Sequence, residues 1–152
     1  MNLHSILRES RREILAEALA SVKRARLEHY EHAGPEVVHQ RLDELLSLVI
    51  VAVADRNLAP MVAHADAVAR ERFEGGFDLA EVQTAFNVLE EVVWWRILKN
   101  LPPADQAEAL GLAGTVLGAG KDALARKYVS LATQTHTPSL NLQALFSGTE
   151  GV

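Results

Sequence analysis

The chain has 152 residues, 49% of them apolar, no cysteine and a formal net charge of −5. That length suits one domain around one core. The missing thiols exclude disulfides, thiolate catalysis and Cys-based zinc or iron–sulfur sites. The acidic balance argues against general affinity for nucleic acid or anionic membrane.

The first predicted helix runs from about Asn2 to the neighbourhood of Ala33. Leu3, Leu7, Ile14, Ala18, Val22 and Ala25 follow near-heptad spacing, with Arg11 interrupting the stripe. A stripe so long and narrow suits a helix shared between its own domain and a partner chain, so Leu7, Ile14, Ala18 and Val22 are read as a dimer interface. Lys23-Arg24-Ala25-Arg26 is the only basic cluster and reads as a solvated helix face. The N-terminal stretch lacks the apolar core of a signal peptide. Gly34-Pro35 closes this helix and opens the next.

A second helix, from about Glu36 to Arg56, is apolar over most of its circumference in its second half and is predicted to be the central, most buried element. Its apolar run from Leu45 to Ala54 is broken by Ser47 and is far short of a bilayer span, which points to a cytoplasmic protein. Asn57 to Pro60 is the next break, and a short third helix spans about Met61 to Glu74. Six residues then write a stop, a turn and a start. Gly75 and Gly76 can supply the left-handed backbone that ends a helix. Asp78 and Glu81 stand at the two positions of a capping box, and Phe77 and Val82 at those of a hydrophobic staple. The fourth helix follows, with Leu79, Val82, Phe86, Leu89, Val93 and Ile97 on one face, and ends near Lys99-Asn100.

Leu101-Pro102-Pro103 turns the chain into a fifth helix that reaches about Thr133. It holds Gly111, Gly114, Gly118 and Gly120, each costing about 1 kcal/mol relative to alanine. Their retention predicts close packing of another backbone along that face, or a kink; Gly114 and Gly118 are assigned to the dimer interface. Residues 134–152 read as a polar tail or the start of a linker, with an apolar island at Leu140, Leu142, Leu145 and Phe146. No stretch alternates like a strand. The fold class is all-α, an antiparallel bundle of about five helices with a globin-like arrangement as one option, and residues 1–133 form a helical sensory and dimerisation domain.

Chemistry-bearing groupings are sparse. His29-x-x-His32, with His39 beyond the turn, could grip a metal, but the three crowd a polar helix end where histidine also suits the dipole. Glu36-x-x-His39 matches one half of a carboxylate-bridged di-metal motif that occurs once here. His64 has Met61 and Val68 as same-face neighbours and is a candidate axial ligand if haem were bound. Gly114 to Lys121 imitates a phosphate loop, but the spacing fails and Asp122 stands where Ser or Thr belongs. Trp94 and Trp95 project about 100° apart, so one is expected in the core and the other on a rim or groove. No catalytic residue is assigned, and no metal or cofactor.

Arg70-Glu-Arg-Phe-Glu-Gly-Gly-Phe-Asp-Leu-Ala-Glu-Val, followed by an apolar helix ending in Val92-Val93-Trp94-Trp95, is similar to the N-terminal sensory domain of RsbR-type stressosome proteins, the RsbT co-antagonists. The resemblance covers about residues 3 to 132. It implies a cytoplasmic all-helical domain, globin-like in some members and lacking haem, that dimerises and passes a signal to an attached output domain. It brings no catalytic residues. No recognisable output segment follows Thr133, so the output is expected on another chain or on a part cut away. The leading expectation is therefore a non-enzymatic signal-input domain acting as a homodimer with a signalling partner, binding neither nucleic acid nor membrane. The rivals are a sensor of haem or another apolar ligand near His64, Trp94 and Trp95, and a metal-dependent helical enzyme using the histidine cluster.

Overall fold

The structure, a computed structural model, describes residues 2–133. The reading of 134–152 as tail or linker falls outside the described residues. Within them the chain is all-α, with seven helices and no strand: α1 (Leu3–Glu9), α2 (Arg11–Ala25), α3 (Glu28–Ala33), α4 (Pro35–Asp55), α5 (Ala59–Glu74), α6 (Leu79–Asn100) and α7 (Pro103–Thr133).

The single first helix expected from the stripe is three. Asn2 caps α1 by accepting the Ser5 N–H at 2.9 Å, and the helix stops at Ser10. Arg11 then leaves the stripe altogether. Its guanidinium reaches Asp43 Oδ1 (2.9 Å from Nε) and Ser47 Oγ (2.5 Å), tying α2 to α4. The second break is at Arg26, which adopts a left-handed backbone (φ 54°). A non-glycine residue there costs about 1–2 kcal/mol. The bend turns α3 so that Tyr30 is buried at 6% exposure against the core, and that burial offsets the strain.

α4 is the hub. Val38, Leu42, Leu45, Leu46, Val49, Ile50, Ala52 and Val53 are all buried, and it contacts each of the other six helices. Around it α7 lies along α5 and α6, and α2 lies on α6 and α4. The α6–α7 pair is antiparallel, pinned at one end by Gln106 donating to the Leu101 carbonyl (2.9 Å) and at the other by Lys121 donating to Asn87 and Glu90 (2.9 Å each). Among the described residues no helix is long and apolar enough to cross a membrane.

Candidate functional site

The turn between α5 and α6 organises the polar end of the bundle. Gly75 remains right-handed (φ −79°); Gly76 alone takes positive φ, at 82°. Gly76 N–H donates to the Phe73 carbonyl and Phe77 N–H to the Arg72 carbonyl (3.1 and 2.9 Å), the paired bonds of a Schellman stop. The capping box then forms, with Glu81 Oε1 accepting the Asp78 N–H at 3.2 Å. Val82 is buried and Phe77 packs against the core.

Glu81 does more than cap. Its carboxylate also accepts the His29 backbone N–H (3.1 Å) and meets His29 Nδ1 at 2.6 Å, so one nearly buried side chain locks α3 onto α6. Burial works against its charge, yet the N–H groups of Asp78 and His29 and the His29 ring outweigh it and hold the carboxyl below its ordinary range. Phe77 is the aromatic counterpart: its ring stacks on His29 (4.8 Å) and meets Tyr30 edge-on (5.2 Å). Arg41 and Arg72 both lie 5.7 Å from its centroid, in cation–π range. Tyr128 of α7 donates to the Phe77 carbonyl at 3.0 Å and packs edge-on against Phe73. Burial pushes the Tyr128 hydroxyl up to about 12.

The two arginines are the anomaly of this end. Arg72 is only 5% exposed. Its Nη1 lies 2.7 Å from Glu71 Oε1, which also stands 3.7 Å from Arg41 Nη2, but Glu71 is a largely exposed side chain. Neither Nε nor Nη1 of Arg72, nor Nη1 of Arg41, makes a directed hydrogen bond, though all three are shut off from solvent. Each buried donor left without an acceptor costs about 1–3 kcal/mol. Burial, and then the charge of Arg72, lower the Arg41 pKa; burial raises Tyr30 and lowers His64, leaving both neutral at pH 7. Between them is a cavity of about 30 Å³, lined by Tyr30, Arg41, His64 and Arg72 with apolar walls from α4, α5 and α6.

A second feature lies on the outside of α6. Trp94, Trp95 and Leu98 are exposed at 47%, 55% and 43%, and with Asn87, Glu90, Glu91 and Lys121 they line an open groove of about 540 Å³.

A family model, the RsbT co-antagonist protein rsbRD N-terminal domain, matches residues 5–141. The chain belongs to this family. It is therefore a stressosome-type signalling input domain, and the family is not a known enzyme family. Comparison with curated proteins and with solved structures gives no match.

In this RsbT co-antagonist domain the residues singled out by sequence are distributed over different places. His64 lines the small cavity between α3, α4, α5 and α6, while Trp94 and Trp95 line the outer groove, so the three do not form one ligand site. Both tryptophans are exposed, where one was expected in the core; the packed face of α6 is filled by Leu89, Val92, Val93 and Ile97. A cavity of about 30 Å³ beside His64 has no room for a porphyrin. The histidine cluster is not assembled: His29 is engaged by Glu81, and among the described residues no group of three or more metal-ligating side chains converges.

Leu7, Ile14, Ala18 and Val22, read as a shared stripe, are 0–3% exposed within their own chain. The stripe is consumed by packing on α4 and α6. Of the α7 glycines, Gly111, Gly114 and Gly118 face open space, and only Gly120 is tightly approached, by the side chains of Phe86 and Met61 rather than by a backbone. Sequence reasoning missed Arg41, Arg72 and Tyr30. The available signal was helical spacing: Arg72 follows the buried Ala65 and Ala69 at seven and three residues, although the charged run Arg70-Glu71-Arg72 reads as a water-facing side, and Arg41 lies three residues after the buried Val38 and four before the buried Leu45.

Proposed function

We propose that this domain is a non-enzymatic signal-input module that works in the cytoplasm as a homodimer and transmits to a signalling partner or an attached output domain. The family supports the signalling role, and the observation that carries the dimer is the exposed Trp94–Trp95–Leu98 face. Large apolar groups held together at the surface mark interaction sites, and tryptophan is the residue most enriched at interface hot spots. The α7 neighbour suits close approach. The antiparallel register set by Lys121 places Gly118 and Gly114 alongside Glu90 to Leu98, and both glycines have open space above them. A two-fold contact would bring Trp94 and Trp95 of each copy against the small-residue face of the other. The apolar stripe of α2 is already used within the monomer; Val37, Val51 and Val62 are exposed singly on α4 and α5, whereas Trp94, Trp95 and Leu98 lie together along one region of α6 and line one groove.

Sedimentation velocity at high micromolar concentration tests the reading. A dimer is expected, and Trp95→Ala should weaken it at least tenfold while leaving the melting temperature of the monomer within about 2 °C, since exposed positions contribute little to folding. A strict monomer at that concentration, or a dimer indifferent to the tryptophan, would remove this interface.

A further inference from the structure

The buried arginine pair has more donors than directed acceptors, although Glu71 stands 2.7 Å from Arg72 Nη1 and the Tyr30 hydroxyl also bonds to Arg72. Arg72 is more than nine-tenths buried, and the donors without a directed bond are its Nε and Nη1 together with Arg41 Nη1. Glu71 meets both guanidinium groups from the solvent side, and Glu81 is committed to His29 and Asp78. Phe77 holds both guanidinium groups at the same distance from its ring, which fixes two planar forks at the edge of one small cavity. Tyr30 adds a neutral hydroxyl that can donate, and His64 a neutral imidazole.

We propose that this cavity is a binding site for a small planar oxyanion of the carboxylate or nitrate class. Guanidinium forks recognise planar two-oxygen groups through paired N–H bonds, a geometry that a spherical ion cannot match. The volume sets the size. A water needs about 10–15 Å³ of such space, so about 30 Å³ accommodates the three or four closely bonded heavy atoms of formate or nitrate and rejects a phosphate ester or nucleotide. The walls of Leu42, Val68, Val82 and Phe86 exclude the hydration shell that a larger anion would carry. Glu44 also lines the cavity and Glu71 stands at its edge, both as exposed carboxylates whose charge water screens; bound anion replaces them as the partner of the inward-facing donors. The site joins α3, α4, α5 and α6, so an anion there bridges four helices that otherwise meet around a like-charged pair. It rests on the input-domain reading for its biological meaning, as the ligand class sensed.

The test is calorimetric titration and thermal melting of the 152-residue chain with sodium formate and sodium nitrate, ionic strength being held constant with gluconate, which is too large for the cavity. A saturable heat and a saturable rise in melting temperature are expected for formate or nitrate, with chloride at least tenfold weaker. Arg41→Met, at the more exposed of the two arginines, should weaken the binding at least tenfold. On the unsubstituted chain, formate should shift the Arg72 Nε–H resonance with the same saturation, a readout that does not depend on any variant folding. Effects that grow without saturating in every salt, chloride binding as tight as formate, or titration undiminished in Arg41→Met would overturn the proposal. A strict monomer leaves these titrations as they are, and absent anion binding leaves the Trp95 dependence of the dimer as it is, so the two readings fail separately.

Discussion

The two ends of α6 invert the usual arrangement of a helical bundle in opposite ways. At its start, around Glu81, charged and aromatic side chains are gathered inside: Arg72 at 5% and Glu81 at 8% exposure sit among Tyr30, Phe77 and Tyr128. At its end the largest apolar side chains, Trp94 and Trp95, are outside at 47% and 55%. Burying charge is costly unless it is paired, and exposing tryptophan forfeits about 25 cal/mol per Å² of burial. The first region therefore behaves as an internal fastener with unused donors, and the second as a surface with unused apolar area. The proposed ligand site thus faces inward and the proposed partner surface outward.

The comparison breaks most visibly at Glu81. Glu81→Ala removes the acceptor of the Asp78 and His29 N–H groups and of the His29 ring at once, and should destabilise the fold by about 3 kcal/mol. Chemical denaturation at pH 7 measures it. The pH dependence follows from the same bonds. Because the folded carboxyl titrates below its unfolded value, its contribution is complete above the unfolded pKa of about 4.3 and is lost as pH falls through the lower folded value. Glu81→Gln should flatten that acid limb. An acid limb as steep as that of the parent would mean the carboxylate is not the fastener.

Much of this end was legible in the residues around the turn. Gly76, Asp78 and Glu81 follow local rules of chain reversal and capping, which depend on neighbours within six residues. The partners of Glu81 and Phe77 were not legible, because His29, Arg41 and Tyr128 reach them from three other helices. The same distinction explains the N-terminal third. The near-heptad stripe gave helices in the right places, but it could not show that Arg26 would take a left-handed backbone. That conformation is offset by the burial of Tyr30, a contact made only once the bundle closes. Nor does periodicity say whether a stripe faces its own chain or another, so Ile14 and Ala18 looked available and are not.

A smaller effect separates the inner and outer faces of α7. A Cβ at Gly120 would stand 2.8 Å from Phe86 Cε2 and 3.0 Å from Met61 Sδ, so Gly120→Val overpacks the core and should cost about 2 kcal/mol in the melting of the monomer. Retained stability there would mean that the α5–α6–α7 contact is looser than the close approach implies.

Tyr128→Phe sharpens the inner region at about 1 kcal/mol, the worth of one neutral hydrogen bond to the Phe77 carbonyl. It carries a second signature. The folded phenol is pushed up to about 12, above its unfolded value near 10. Its contribution is whole below the unfolded value and lost as pH climbs through the folded one, so the parent should lose stability over that interval more steeply than the variant. Tyr30, raised in the same direction, leaves part of the slope in place.

Gly118→Ala is the mildest change and divides the two regions most cleanly. In the monomer the new methyl meets nothing within 4 Å, so the only effect is the higher helix propensity of alanine, a gain of up to about 1 kcal/mol. If the outer face is the dimer contact, the same methyl enters a surface where close approach matters, and association should weaken while folding improves. Melting at low concentration and sedimentation at high concentration would then move in opposite directions. Parallel movement of the two would separate Gly118 from the interface and confine the contact to the tryptophans, because a residue that touches no partner can change association only through the stability of the monomer.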